Sequence, residues 1–350
     1  MAAEHISKTF EAYRMKGGDG VHSYANNSYY QRGVIDTAKK LITDEIADKL
    51  DLKNIVLSNT FRIADLGCSV GPNTCFIVQN IIEAVQCKCQ CEGFDPQLLE
   101  FQVFFNDHTS NDFNTLFTSA PPNRQYYAAG VAGSFYRRLF PIDSLHFVHS
   151  SYAIHWLSRV PKLIVDESSP AWNKGRIHFS NTKDEVVKAY EAQYAEDMKC
   201  FLHARAQEVV CGGLIALTIY GRPNEALHSQ THQNIVHDLL RSCLIDMARK
   251  GLISEEKVDS FNVPTYCMSP QELVVAVNRN GEFSVERIEN QKLASLIRAA
   301  YDGLIKEHFG DVILDELFEL FRKKAEEEFS LFKSGRSINF FALLKCKAKR

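Results

Sequence analysis

The 350-residue sequence contains no run of about eighteen apolar residues, so no segment reads as a bilayer-spanning helix. Met1 to Met15 is polar and acid-containing and lacks an apolar signal core, which makes a soluble cytoplasmic protein the expectation. An excess of basic charge is missing as well. Lys and Arg number 40 against 43 Asp and Glu, a formal charge of −3, so no global field points to nucleic acid. The ten cysteines show no zinc spacing: Cys87, Cys89 and Cys91 alternate instead of forming a C-x-x-C pair, and no matching histidine pair follows. Free thiols in a reducing compartment are expected. Internal repeats and low-complexity tracts are also absent. What is present is ordinary globular composition, 45% hydrophobic and 24% charged, enough core for one large domain or two closely joined ones.

The most informative stretch runs from Phe61 to Thr74. Three of the four residues Phe61 to Ala64 are apolar, which reads as a buried strand. Asp65, Gly67 and Gly71 follow, then Pro72, with Asn73 or Thr74 placed to cap a helix beginning near Cys75. A glycine turn between strand and helix lets a ligand approach the backbone at the carboxyl end of a parallel sheet. The loop lacks the full G-x-G-x-x-G pattern of dinucleotide sites, which argues against a dehydrogenase, and it lacks the Lys-Ser/Thr ending of a phosphate loop. Asp107 ends the next strand, where a carboxylate can accept two hydrogen bonds from a ribose. Asp65 would face a cation such as an amino-acid ammonium. Either acid alone reads as a cap or turn residue. Together, flanking a glycine loop, they suit an adenosyl cofactor with an amino-acid tail and no phosphate.

Helical spacing predicts a helix over Arg32–Leu50, with Val34, Ile35, Ala38, Leu41 and Ile42 on one side. A second helix is expected over Cys75–Val85, followed by a polar link from Gln86 to Gln97. Strands are expected at Phe101–Phe105, Leu145–His149 and Leu214–Tyr220. A long helix over Val186–Val210 should stop at Gly212 and Gly213. Residues 222–335 read as mostly helical and Ile338–Lys347 as a closing strand. The alternation implies an α/β fold: a parallel sheet with helices on both faces. Core segments at about 32–150, 186–221 and 311–350 would carry the sheet. Segments at about 151–185 and 222–310 would form a helical cap over its carboxyl edge, the whole chain 1–350 acting as one unit.

A set of motifs then carries a specific resemblance. Met15-Lys16-Gly17-Gly18 is followed by Ser23-Tyr24, Asn27-Ser28 and Gln31. Next come Asp65-Leu66-Gly67-Cys68-Ser69 with Gly71-Pro72-Asn73, then Asn106-Asp107 with Asn111-Asp112-Phe113-Asn114, and Gly133-Ser134-Phe135-Tyr136. His149-Ser150-Ser151-Tyr152, Trp156-Leu157-Ser158, Asn173-Lys174, Asp259-Ser260-Phe261-Asn262-Val263-Pro264 and His308-Phe309-Gly310 complete the series. In this order they resemble the plant SABATH family of S-adenosylmethionine-dependent methyltransferases, nearest its loganate and farnesoate branch. The family esterifies small carboxylic acids or, in one branch, methylates xanthine nitrogens.

The resemblance implies a class I, Rossmann-like methyltransferase sheet with a helical cap. S-adenosylmethionine would be the cofactor, S-adenosylhomocysteine its product, and a homodimer the assembly. It places Tyr24, Ser28, Asp65, Cys68, Asn73, Asp107, His108, Ser134 and Phe135 around the cofactor. Asp107 suits the ribose diol, and Phe135 offers a face for adenine. Gln31 and Trp156 would hold the substrate carboxylate with neutral amide and indole donors, while Tyr152 and His155 border the substrate. A carboxylate is already ionised near pH 7, so no catalytic base is implied and positioning carries the reaction. Asn173, Asp259, Phe261 and Asn262 match positions where some members bind magnesium, with Phe261 lending only its carbonyl. A hydrogen-bonded anchor for the cap is the other reading of these four.

The chain also departs from the family pattern. His108 stands where Leu is common, Val70 where Ser is, and Ala132 where Pro is. His155 replaces the Met of salicylate-type members, which points to a bulkier acid. Between Gln291 and Leu293 the chain is shorter than usual members. Two alternatives therefore stay open: an N-methyltransferase using His155 as a base, and a cofactor-binding paralogue without activity.

Overall fold

The computed structural model describes residues 13–52, 59–291, 308–310, 313–327 and 336–348. Strand β1 (Thr60–Leu66) is buried on both faces. Phe61 and Ile63 join the cluster containing Ile42, Ile77 and Ile81, while Ala64 and Leu66 join the opposite cluster with Val186, Phe201 and Phe340. Alternation with period two delivers successive side chains to the two faces. Strands β2 (Glu100–Asp107), β3 (Tyr127–Ala132), β4 (Leu145–Ser151), β5 (Val209–Gly221), β6 (Phe283–Gln291) and β7 (Ile338–Cys346) complete a sheet of order β3-β2-β1-β4-β5-β7-β6. The first five strands pair in parallel, but β7 is antiparallel to both β5 and β6. The sheet is thus mixed, not parallel throughout as expected.

Helices α1 (Tyr24–Asn27), α2 (Tyr29–Lys49) and α3 (Pro72–Cys91) precede β2. Ile35, Ala38, Leu41 and Ile42 turn one face of α2 onto the sheet, as the spacing predicted. Helix α4 (Phe113–Ser119) lies on β3, and α5 (Asp184–Glu208) covers the other face of the sheet with α8 (Pro270–Asn280). Helices α6 (His232–Arg249), α7 (Glu255–Ser260) and α9 (Leu314–Glu327) surround a third cluster of Trp156, Ile177, Leu240, Met247, Phe261 and Leu317.

Several boundaries differ from expectation for identifiable reasons. Helix α3 begins at Pro72 with Gly71 as its N-cap, and neither Asn73 nor Thr74 caps it; both side chains are used elsewhere. It also runs through Gln86–Cys91, held by Lys88, which bonds the Ala47 carbonyl at 2.7 Å. Helix α5 stops at Glu208, before the two glycines. Those glycines sit instead in the irregular start of β5, where pairing with β4 jumps from Leu145–Val209 to Phe147–Leu214 and Gly212 has φ +77°. Strand β3 escaped notice because Ala and Gly dominate it; at Gly130 a Cβ would meet the Phe113 and Phe117 rings at 3.1 and 3.2 Å. Strand β6 lies within the stretch expected to be mostly helical, and an irregularity between Val285 and Arg287 breaks its alternation. Leu293 and Ala294, on the far side of the shortened segment, lie outside the described residues.

Candidate active site

The glycine loop between β1 and α3 is fastened from below by the end of β2. The Asn106 carbonyl accepts hydrogen bonds from both Gly67 N (2.9 Å) and Cys68 N (3.0 Å). The Asp107 carboxylate accepts from Ser69 N and His108 N, each at 2.7 Å. Ser69 adopts a left-handed φ of +54°, which aims its N–H at Asp107, and Asn111 Nδ2 bonds the Ser69 carbonyl at 3.0 Å. Gly67 is needed for two reasons: its φ is +79°, and a Cβ there would lie 2.3 Å from Ala153 Cβ and 3.6 Å from the Phe135 ring. The Asn106 amide also donates to Val131 (2.8 Å) and Gly133 (2.9 Å), so one side chain links the glycine loop to the Ser134–Phe135 turn. Asn106 was part of a motif in the sequence, but nothing there marked it as the joint between the two loops.

The N-terminal segment covers this loop. Ala25 on α1 packs on Gly71, where a Cβ would meet Ala25 Cβ at 3.0 Å. Ser28 accepts from Asn73 Nδ2 at its hydroxyl (2.9 Å) and carbonyl (3.1 Å). The Tyr24 hydroxyl lies near Asn73 and both acids; burial first, then the Asp65 and Asp107 charges, hold its pKa above the ordinary value. Burial likewise raises the Cys68 thiol well above its usual range. Burial also raises Asp107, against its hydrogen bonds and neighbouring His108, and lowers His108, which stays neutral near pH 7.

Asp65 has a partner on each oxygen: His149 Nδ1 at 2.7 Å and the Thr74 hydroxyl. Expected from the sequence to face a cofactor cation, this carboxylate has as its partners a histidine on β4 and a threonine on α3. Phe135 is buried, tilted against Tyr136 with centroids 4.7 Å apart and edge-on to Phe201 at 6.2 Å. The Ser134 hydroxyl accepts from Tyr136 N at 3.3 Å. Tyr24, Ser28, Asp65, Cys68, Asn73, Asp107, His108, Ser134 and Phe135 therefore all lie on the glycine loop or on segments directly joined to it.

The predicted substrate side lies just beyond β4. Tyr152 has φ +55°, unusual for a bulky side chain, and its N–H bonds Thr218 of β5 at 2.9 Å. His155 sits among three rings: Trp156 at 5.7 Å, Tyr220 at 6.1 Å and Tyr152 at 6.3 Å. Its Nδ1 is buried without a hydrogen-bond partner, and burial lowers its pKa to about 4. Trp156 pairs with Thr265, its carbonyl accepts from Tyr136 Oη at 2.6 Å, and Tyr13 stacks on its ring at 6.1 Å. Tyr220, unmarked in the sequence, reaches this group because β5 continues past β4; its hydroxyl bonds Ser337 at 3.0 Å. Gln31 lies on the first turn of α2, and its amide oxygen is buried and unpartnered.

Two of the four residues matched to a metal site bond each other. Asn173 Nδ2 donates to Asn262 Oδ1 at 2.7 Å, and Asn173 Oδ1 accepts from Thr182 at 3.1 Å. The unpartnered buried atom is Asn262 Nδ2, a donor that repels a cation. Phe261 packs on His308 and Phe309, and Asp259 is half-buried beside Gly175. With both amide oxygens engaged, this arrangement does not fit a divalent ion. Among the described residues no group of three His, Cys, Asp or Glu could hold a metal either.

A glycine loop, a strand-end acid and an aromatic platform at the carboxyl edge of a sheet suit an adenosyl cofactor, and the match to known proteins decides the rest. Residues 10–347 match the family described as SAM dependent carboxyl methyltransferase. The chain belongs to that family. It is 48% identical over 338 residues to loganic acid O-methyltransferase of Catharanthus roseus, covering 92% of this chain and 90% of that one. It is 40% identical over 328 residues to farnesoic acid carboxyl-O-methyltransferase of Arabidopsis thaliana, covering 90% and 93%. A solved structure of loganic acid methyltransferase with S-adenosylhomocysteine superimposes with a TM-score of 0.91 at 47% identity, covering 96% of this chain and 99% of that one. As a carboxyl methyltransferase of this family the chain uses S-adenosylmethionine, and the expected α/β methyltransferase fold is borne out. Among its described residues no helix is long and apolar enough to cross a membrane.

Proposed function

We propose that this methyltransferase esterifies a small terpenoid or iridoid acid, loganate being the first to try. The observation that carries the proposal is the ring cluster of Tyr152, His155, Trp156 and Tyr220 beside the glycine loop. It is a broad, mostly aromatic wall whose one histidine is held by burial at a pKa of about 4. The 48% identity to a loganic acid enzyme points the same way. In this reading Gln31 and Trp156 hold the carboxylate by neutral N–H donors, which leaves its oxygen nucleophilic. One carboxylate oxygen attacks the sulfonium methyl carbon, the C–S bond breaks, and neutral S-adenosylhomocysteine leaves. Attraction between anion and cation in a dry site favours their approach, and catalysis is positioning. Tyr24, Ser28, Cys68, Asn73, Asp107, His108, Ser134 and Phe135 bind the cofactor, with Asp65 beside them. Asn173 and Asn262 act as an anchor between the 173–182 loop and the segment after α7.

The test is incubation with methyl-labelled S-adenosylmethionine and a panel of loganate, farnesoate, jasmonate, salicylate, benzoate, indole-acetate, gibberellin and xanthines. Base-labile label in an acid supports the proposal, and loganate should lead. Base-stable label on a xanthine assigns the chain to nitrogen chemistry. Cofactor binding without turnover of any compound overturns the ester-forming role. A homodimer is our further reading from the family resemblance, tested by sedimentation equilibrium, and a cytoplasmic location is our reading of the polar first residues, tested by cell fractionation.

A further inference from the structure

We infer that Arg205 and Glu208, in the last turn of α5, are positioning residues for the cofactor, because they hold the loop that presents Ser134 and Phe135. The inference rests on the assignment of those two residues to the adenosine. Both charged side chains are 0% exposed and paired, with Arg205 Nη2 2.6 Å and Nε 2.8 Å from Glu208 Oε2. Their remaining bonds all go to the loop backbone. Arg205 Nη1 donates to the Phe135 carbonyl (2.7 Å) and Nη2 to the Arg137 carbonyl (2.9 Å). Glu208 Oε1 accepts from Leu139 N (2.5 Å) and Phe140 N (3.0 Å). Four backbone groups of one turn thus depend on a single ion pair. One turn earlier on α5, Phe201 packs edge-on against the Phe135 ring at 6.2 Å and lies under the Arg205 guanidinium at 5.4 Å.

A buried ion pair is a poor way to gain stability, since an apolar pair of similar volume commonly does as well. What this pair supplies that an apolar pair cannot is a fixed path for residues 135–140. Its donors and acceptors match the outward carbonyls and N–H groups of the turn, leaving the Phe135 ring one position. Asn106 fixes the same turn from the other side, through the Gly133 carbonyl.

The experiment compares wild type with R205M/E208M and R205K, using calorimetric titration of S-adenosylhomocysteine, thermal unfolding, and initial rates with loganate or whichever panel acid is esterified. We expect the double variant to melt at a lower temperature, since four backbone groups lose their partners, and in its folded form to bind S-adenosylhomocysteine at least tenfold more weakly and to raise the KM for S-adenosylmethionine similarly. Its kcat and its KM for the acid should stay within about twofold of wild type. R205K keeps the charge and can reach one carbonyl, so it should restore part of the affinity. Wild-type affinity in either folded variant overturns the inference, as does an equal rise in both KM values. F135A separates the two ideas. If F135A binds S-adenosylhomocysteine normally, the adenosine assignment itself fails; if F135A loses affinity and R205M/E208M does not, only the positioning role fails.

Discussion

Asp65 and His149 face each other across adjacent parallel strands, carboxylate to Nδ1 at 2.7 Å, both buried beneath the glycine loop. Thr74 completes the set from the first turn of α3. Replacing His149 with Leu leaves a buried carboxylate with one hydroxyl partner. We expect a loss of about 1–3 kcal/mol in urea unfolding and weaker binding of S-adenosylhomocysteine. Unchanged values for both would show that the pair does not support the loop.

Gly67 cannot be replaced cheaply. In Gly67→Ala the new methyl meets Ala153 Cβ at 2.3 Å on a backbone with φ +79°. The left-handed conformation alone costs about 1–2 kcal/mol. The double variant G67A/A153G should relieve the contact but keep the backbone cost, so it should recover part of the melting temperature and of cofactor affinity. Independent, additive effects of the two substitutions would contradict this contact.

Histidines that burial keeps neutral make the fold sensitive to acid. Burial lowers His146 and His155 to about 4, His178 and His228 to about 3, and His237 well below its ordinary value. Each is neutral in the fold and takes a proton more readily when unfolded, so its stability is fully present above about pH 6.5 and is lost as pH falls below it. Each adds a slope of about 1.4 kcal/mol per pH unit in that range. Urea midpoints should hold steady from pH 8 to 7 and drop steeply from pH 6 to 4.5. A midpoint independent of pH down to 4.5 would refute the assignment of neutral histidines.

Methyl transfer should show no histidine limb. With His155 titrating near 4 and a carboxylate already ionised, kcat/KM should be level between pH 6 and 8. Below pH 6 it should fall as the acid itself protonates, near pH 4–5, and as the fold loses stability. A rise through pH 6–7 would mean that a base is required, which suits a nitrogen substrate.

Asp112 ties the N-terminal segment to the core. It caps α4 at Thr115 N (3.0 Å) and accepts from Gly18 N (3.0 Å), and a Cβ on Gly17 would lie 2.7 Å from its Cβ. Asp112→Ala should cost about 1 kcal/mol through the cap and expose residues 13–22 to limited proteolysis. Bound S-adenosylhomocysteine should reduce that cleavage, since Tyr24 and Ser28 lie on the same segment.

The parts of the fold legible in the sequence are those where local pattern and tertiary role agree. β1 is apolar because both its faces are buried, β2 and β4 carry the runs Phe101–Phe105 and Leu145–Val148 that read as strands, and the glycine loop is marked by residues that few other conformations require. Strands β3 and β6 were not legible: one is built of Ala and Gly at the sheet edge, and the other loses its alternation at an irregularity. Gly212 and Gly213 have the composition of a helix stop and serve a strand instead, because pairing with β4 outweighs the local signal.

The same division runs through the site. The sequence by itself determined the α/β methyltransferase family and the residues gathered round the glycine loop, since these depend on residue types at short spacings. Only the tertiary structure decided that Asp65 is held by His149, that Tyr220 joins Tyr152 and His155, that Asn173 and Asn262 satisfy each other, and that Arg205 and Glu208 hold the Phe135 turn. Those pairings bring together residues that are 65 to 89 positions apart, and distance along the chain carries no signal of contact until the sheet has set the register.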